Sequence, residues 1–419
     1  MLLIAAPGQG AQAPGFLREW LELPGFADRI GAWSELAGCD LIRCGTTADA
    51  DEIRDTAIAQ PLLVAAAIAA AAELVGGPGR PQRLADAAAA GGVDAAAGHS
   101  VGELAAGAIA GTLAPDDAIR LVRVRGLAMA RAAATQATGM TAVLGGDEPE
   151  VLASIEACGL TPANVNGAGQ IVAAGTADQL AAFAADPPPG ARLRPLSVAG
   201  AFHTTHMAPA VDALREAAAT VAVRRPVLAL LSNREGSVVR SGMDWLERIV
   251  TQVSTPVRWD KCMQTMASLG VTALIELPPA GTLTGLARRG LPGVQTLSLK
   301  SPGDLDEARE LLAAHGAAGN GAAARADATD DTHSDSHAPE WRLLVAPLAG
   351  TFRAGPASGA PRPGAAVSTG AELGHVEMRG GSQPVASAFP ATIIEWLVED
   401  GDPVTAGQPL VRLQPEGTE

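Results

Sequence analysis

Along most of the chain, short apolar runs that end in glycine alternate with longer Ala/Leu/Arg-rich stretches of helical character. "LLIAAPGQG" (2–10) and "VDAAAGHS" (93–100) read as strands running into glycine loops. That alternation, sustained to about residue 315, predicts an α/β fold in which helices cover a sheet. Between residues 133 and 197 the texture tightens. "MTAVLGG" and "QIVAAG" predict strands there, and "EVLASIEACG" and "LAAFAAD" predict helices, so the insert reads as a small α+β subdomain. Residues 316–339, "GAAGNGAAARADATDDTHSDSHAP", hold no large apolar residue. Such a segment buries too little surface to offset its ordering entropy and predicts a flexible linker, with His333 and His337 solvated. From Trp341 to about Leu413, "WRLLVAPLAGTF", "GHVEM", "ATIIEWLVEDGDPV" and "QPLVRLQP" are short apolar strands between Gly/Pro/Asp turns, which predicts a small all-β domain over 340–419. No repeat of solenoid period is present.

Composition narrows the picture. Of 419 residues, 47% are apolar and 18% charged, enough to bury two or three cores. The 45 acidic against 30 basic residues, net −15, argue against a nucleic-acid or anionic-membrane surface. "MLLIAAPGQG" carries no basic n-region, and its apolar run breaks at Pro7-Gly8. The longest apolar stretch, Pro61 to Ala72, reads as too short to span a bilayer. Cys39, Cys44, Cys158 and Cys262 have no metal spacing and read as reduced thiols, which predicts a cytoplasmic location.

Candidate chemistry centres on "GHSVG" (98–102). Gly98 and Gly102 permit a sharp strand-to-helix elbow that lifts the Ser100 hydroxyl toward a substrate, with the helix N-terminus ready to stabilise an oxyanion. The same serine would serve equally well as a helix N-cap, and the pentapeptide alone leaves both readings open. A nucleophilic serine needs a base. Of seven histidines, two lie in the linker, His315 at its start and His375 in the β domain. His99, His203 and His206 remain. His203 follows a strand-like run, "SVAGAF", and precedes a helix, and the Ser-then-His order suits an elbow enzyme.

Six motifs in order resemble the bacterial malonyl-CoA:acyl carrier protein transacylases: "PGQGAQ" (7–12), "GHSVGE" (98–103), "VRVRGLAM" (122–129), "GAFHTTHM" (200–207), "TQVSTPVRW" (251–259) and "PPAGTLTGL" (278–286). The resemblance covers residues 1 to about 315. It implies an acyltransferase fold, an α/β-hydrolase-like core with an inserted ferredoxin-like α+β subdomain over 133–197. It further implies Ser100 as nucleophile, His203 as general base, Gln9 and the Val101 N–H at the oxyanion hole, Gln252 orienting the histidine, and Arg125 holding the malonyl carboxylate. A planar guanidinium suits that last role because it pairs bidentately with a carboxylate. The implied reaction is ping-pong, without cofactor or metal. Ser100 takes malonyl from malonyl-CoA and passes it to the phosphopantetheine thiol of acyl carrier protein, for fatty acid or polyketide synthesis. An acidic carrier requires a basic docking patch, for which Arg192, Arg194, Arg224, Arg225, Arg288 and Arg289 are candidates. The alternative is a serine carboxylesterase or thioesterase of the α/β-hydrolase type, although no Asp/Glu triad member or HGG-like motif stands out.

Residues 341–416 resemble a biotinyl/lipoyl carrier domain, which implies a flattened all-β barrel of two similar halves. That family modifies a lysine at a hairpin tip. Here the matching stretch is "VEMRGGSQPVASAF", with Gly380 at the lysine's place. The chain's two lysines, Lys261 and Lys300, both precede the linker, so no amide-linked biotin or lipoate is expected. The resemblance leaves two roles open for this domain: docking to an acyl-CoA carboxylase, or a vestigial fusion that only adds solubility.

Overall fold

The computed structural model describes residues 1–76, 83–316, 342–355, 362, 364–378, 381–398, 400–405 and 408–415. The predicted linker, after Gly316, and the tip residues Arg379 and Gly380 lie outside them. The chain divides within the undescribed 317–341 segment into two compact units.

In the first unit, β1 (Leu2–Ala6) and β2 (Ala95–Gly98) are buried along their whole length. Leu2, Ile4 and Ala6 enter one core while Leu3 and Ala5 enter the other. A strand covered on both faces has no polar face to display, which is why these segments read as unbroken apolar runs. The chain then leaves for the insert: β3 (Thr138–Gly145), β4 (Thr161–Gly167), β5 (Gln170–Thr176) and β6 (Ala191–Pro195). It returns through β7 (Ala229–Leu231) and β8 (Val238–Val239), makes β9 (Val257–Arg258), and closes with β10 (Ala273–Glu276) and β11 (Gln295–Ser298). The central sheet runs β11-β10-β1-β2-β7-β8, parallel except for the terminal β7–β8 pair.

The insert has βαββαβ order, with helices Glu148–Ala157 and Ala177–Ala185 and strand order β6-β3-β5-β4. This is the ferredoxin-like arrangement expected. Strands β4 and β6 gave no clear signal: "TPANVNG" is studded with Asn and Pro, and β6 is a half-exposed edge. β9 pairs with β4 in parallel, Asn164 with Val257 and Val165 with Arg258, and so ties the insert to the main body.

Two expectations fail. The "SVAGAF" run forms no strand. Gly200 instead packs so tightly on the Pro115–Ala133 helix that a Cβ there would stand 2.7 Å from that of Ala133. The apolar run at Pro61 is also longer than it reads: the helix spans Thr56–Val75, 20 residues, enough by length and composition to cross a membrane. Protein encloses it, with 83% of its most apolar window buried. A helix apolar all round is at home in a core as well as in a bilayer.

The second unit contains β12 (Arg342–Val345), β13 (Gly350–Ala354), β14 (Ala366–Val367), β15 (Glu372–Met378), β16 (Gly381–Ala386), β17 (Ala391–Trp396), β18 (Pro403–Val404) and β19 (Pro409–Pro415). They form two antiparallel four-stranded sheets, β12-β19-β17-β14 and β16-β15-β13-β18. Advancing each label by four positions, cyclically, converts one order into the other, so the halves β12–β15 and β16–β19 are topologically equivalent. Phe352, Val376 and Leu410 fill one core, and Leu373, Ile393 and Leu413 the other.

Candidate active site

Between the end of β2 at Gly98 and the start of the Gly102–Ile109 helix, the chain reverses within three residues. Ser100 holds the turn with φ +52°, a left-handed conformation that non-glycine residues adopt only under constraint. The flanking glycines are obligatory. A Cβ on Gly98 would lie 2.0 Å from the Gly102 carbonyl carbon, and one on Gly102 would lie 2.2 Å from the Ala6 oxygen. The N-cap reading of Ser100 fails: its hydroxyl bonds no helix amide. It lies 2.7 Å from His203 Nε2. The Ser100 N–H is spent on Asn233 Oδ1, 2.7 Å away, while the Gly102, Glu103 and Leu104 amides turn back onto His99, Ser100 and Val101 carbonyls.

His203 is buried, at φ +61°, its own N–H held by the Val253 carbonyl. Its Nδ1 lies 2.8 Å from the main-chain oxygen of Gln252. A carbonyl only accepts, so Nδ1 carries the proton and Nε2 is left to accept from Ser100. Burial, followed by the nearby Arg125 charge, pushes the imidazole down to about 3, so it rests neutral. Gln252 therefore does hold the histidine, but through its backbone.

The Gln252 side chain serves a different partner. Its Oε1 accepts from Arg125 Nη2 at 2.8 Å, and Gln60 Oε1 accepts from Arg125 Nη1 at 2.8 Å. Arg125, fully buried on the Pro115–Ala133 helix, also directs Nη2 at Ser100 Oγ, 3.3 Å away. Burial lowers its guanidinium to about 10, which leaves it charged at neutral pH. A cation thus sits beside the Ser100 hydroxyl, held by neutral amides, with its Nε buried and unpartnered. Beneath it, Glu103 is buried and pushed up to about 8 by desolvation, against the N–H donors that face it.

Gln9 lies in the glycine loop after β1, but its side-chain amide turns away, donating to the Arg54 carbonyl and Thr56 Oγ1 at 3.2 and 3.3 Å. What it can offer an oxyanion is its main-chain N–H. Gly8 explains how close that loop comes: a Cβ there would meet the His99 carbonyl at 2.9 Å. His99 is no base for Ser100. Its Nε2 bonds Asn166 Oδ1 at 2.9 Å, and Trp259 packs tilted against its ring. A cleft of about 410 Å³ runs from Gln9 and His99 between the main body and the insert, past Asn164, Asn166, Val198 and Leu286. None of the six arginines proposed for docking lines it; Arg54 does. His206 stays clear of the site in a 3-10 turn.

Sequence reasoning missed Gln60, Asn233, Asn166 and the role of Glu103. A glutamine inside an otherwise apolar helix was the available signal for Gln60. Glu103 stood in a quoted motif without an assigned task.

The acyl transferase domain family matches residues 5–302. A malonyl CoA-acyl carrier protein transacylase of Mycobacterium tuberculosis is 54% identical over 312 residues, 74% of this chain and 100% of that protein. The protein so named in Escherichia coli K12 is 30% identical, over 73% of this chain and 97% of its own length. Among solved structures, MCAT from Mycobacterium tuberculosis aligns with a TM-score of 0.69 at 53% identity, over 74% of this chain and 99% of that one. A malonyl-transacylase in complex with a type II PKS acyl-carrier protein aligns at 0.66 and 26% identity, over 74% and 99%.

Proposed function

The chain belongs to the acyl transferase domain family, and from that premise we propose that it moves malonyl from malonyl-CoA to the phosphopantetheine thiol of acyl carrier protein. One observation carries the reading. Ser100 Oγ stands 2.7 Å from a neutral imidazole nitrogen and 3.3 Å from a buried guanidinium, so nucleophile, base and carboxylate receptor meet at one oxygen. The Ser100 oxygen attacks the thioester carbonyl carbon while its proton passes to His203 Nε2. Charge on the carbonyl oxygen is met by the Val101 and Gln9 main-chain N–H groups. The C–S bond then breaks, and the proton on His203 leaves with the coenzyme A sulfur. The carrier's thiol reverses the steps.

Arg125 adds selectivity. Alone, its charge opposes the imidazolium that forms on His203. A malonyl carboxylate paired with it offsets that charge, so the correct acyl group favours its own acylation step. The hydrolase alternative expects a carboxylate behind the histidine, whereas His203 rests on the Gln252 carbonyl.

Intact-protein mass spectrometry after malonyl-CoA treatment, with peptide mapping, tests this. Malonyl should appear on Ser100, vanish in Ser100→Ala, and move to added holo carrier protein. A label on cysteine, or release as free malonate in the carrier's presence, refutes it. We assign the reaction to the cytoplasm, where the four free cysteines would stay reduced.

For the second unit we propose a flattened barrel of the biotinyl/lipoyl kind that has lost its lysine. The exchange symmetry of its two sheets supports this, as does the β15–β16 hairpin, whose Met378–Gly381 pair brackets residues 379–380. Its proposed role is docking to an acyl-CoA carboxylase. Residues 340–419 used as bait should recover a carboxylase subunit, and failure to recover one removes that role.

A further inference from the structure

Gln252 Nε2 faces three oxygens: Ser100 O at 3.1 Å, Asn233 Oδ1 at 3.4 Å and Glu103 Oε2. Its Oε1 faces Arg125 Nη2. Rotating the amide by half a turn would set an oxygen against three acceptors and an NH2 against a guanidinium, so the orientation is fixed by the neighbours. Of the groups facing Nε2, Glu103 is the one carboxylate, it also bonds the Ser232 side chain, and both of its oxygens are committed to the network. Oε1 accepts the Asn233 main-chain N–H at 2.9 Å and Oε2 accepts Gln252 Nε2. The Asn233 N–H cannot turn. Any side chain at 103 with only one accepting atom must leave it on Asn233 and present something else to Gln252.

We propose that Glu103 is a specificity-determining positioning residue: in its ionised form it accepts two N–H donors, locks the Gln252 amide with its oxygen on Arg125, and so sets the guanidinium that receives the substrate's carboxylate. The inference rests on the malonyl-transfer reading. A glutamine at 103 is nearly isosteric with glutamate and fills the same space. It brings an NH2 to the Gln252 NH2, however, and the amide escapes that clash only by turning its own NH2 onto Arg125. The guanidinium then loses an acceptor and is displaced. A displaced guanidinium harms acyl groups that carry a carboxylate and spares those that do not.

The test compares initial rates of Ser100 labelling by malonyl-CoA and acetyl-CoA in the full chain at about pH 9, above the value of about 8 at which Glu103 ionises. In Glu103→Gln the malonyl-to-acetyl ratio of kcat/KM should fall by about tenfold or more, chiefly through a raised KM for malonyl-CoA. Glu103→Asp, which keeps two accepting oxygens, should retain more of the ratio. In an Arg125→Ala background, adding Glu103→Gln should move the ratio by less than about twofold, because the route runs through that arginine. Equal loss of both acyl groups, or an undiminished effect without Arg125, overturns the proposal. Should Glu103→Gln not fold, Gln252→Met carries the test, since it deletes the amide but keeps the main-chain carbonyl on His203; an unchanged ratio there overturns it too. Absence of malonyl on Ser100 in the unsubstituted protein would instead overturn the functional reading.

Discussion

Replacing Gly98 with alanine asks whether the elbow is as tight as its geometry requires. The new Cβ would fall 2.0, 2.1 and 2.2 Å from Gly102 C, Gly102 O and Glu103 N. Carbon atoms in ordinary contact sit about 3.5–4.0 Å apart, so the start of the helix must retreat by roughly 1.5 Å. All three atoms are backbone, so no rotamer change relieves the clash. Ser100 and the Val101 N–H ride on that turn, and a retreat of this size opens the 2.7 Å contact between Ser100 and His203. Overpacking of this kind costs about 1–3 kcal/mol or more. That corresponds to several degrees of Tm at about 2–4 °C per kcal/mol for a unit of a few hundred residues. Misplacing a reacting group by about 1 Å costs on the order of 10²-fold in rate. Rapid-quench mass spectrometry of Ser100 acylation and calorimetry measure the two effects. Gly285→Ala is the control, because its Cβ meets only Arg289 Nη1 at 3.9 Å; it should be neutral or slightly stabilising. A Gly98→Ala protein that acylates at the native rate with a native Tm would refute the reasoning.

Three further outcomes are expected. Arg125→Ala should depress malonyl labelling about tenfold to hundredfold more than acetyl labelling, and equal loss would make Arg125 purely structural. His203 sits at about 3 when folded against 6.5 unfolded, so between those values the unfolded chain binds the extra proton and stability falls as pH drops through that window; the acylation rate should accordingly show no inflection near pH 6.5, and a pH-rate profile that breaks there contradicts the neutral, buried imidazole. A chain ended at Gly316 should keep its turnover with free malonyl-CoA and carrier protein, and the full chain should never take biotin or lipoate; collapse of activity in the folded shorter chain would make the second unit part of the catalytic one.

Local sequence determined the parts whose physics is local. β1 and the end of β2 were legible because strands buried on both faces are uniformly apolar, and the elbow because its bend demands glycine at 98 and 102. Ser100, His203 and Arg125, which the fold brings to one hydroxyl, were legible through their motifs. Tertiary structure decided everything that depends on closure between distant segments. Whether Ser100 caps a helix or faces a base was settled only when His203, 103 positions later, arrived at its hydroxyl. Gln252 was expected to orient the histidine, yet the atom that does so is a main-chain oxygen, and every residue has one. A backbone carbonyl leaves no mark on the sequence, because its role depends on where the chain passes and not on which side chain it carries. The tasks of Gln60, Asn233 and Glu103 could not be assigned, for the complementary reason. Each is an ordinary polar residue whose task exists only because burial removes water and makes its neighbours across the fold its sole partners.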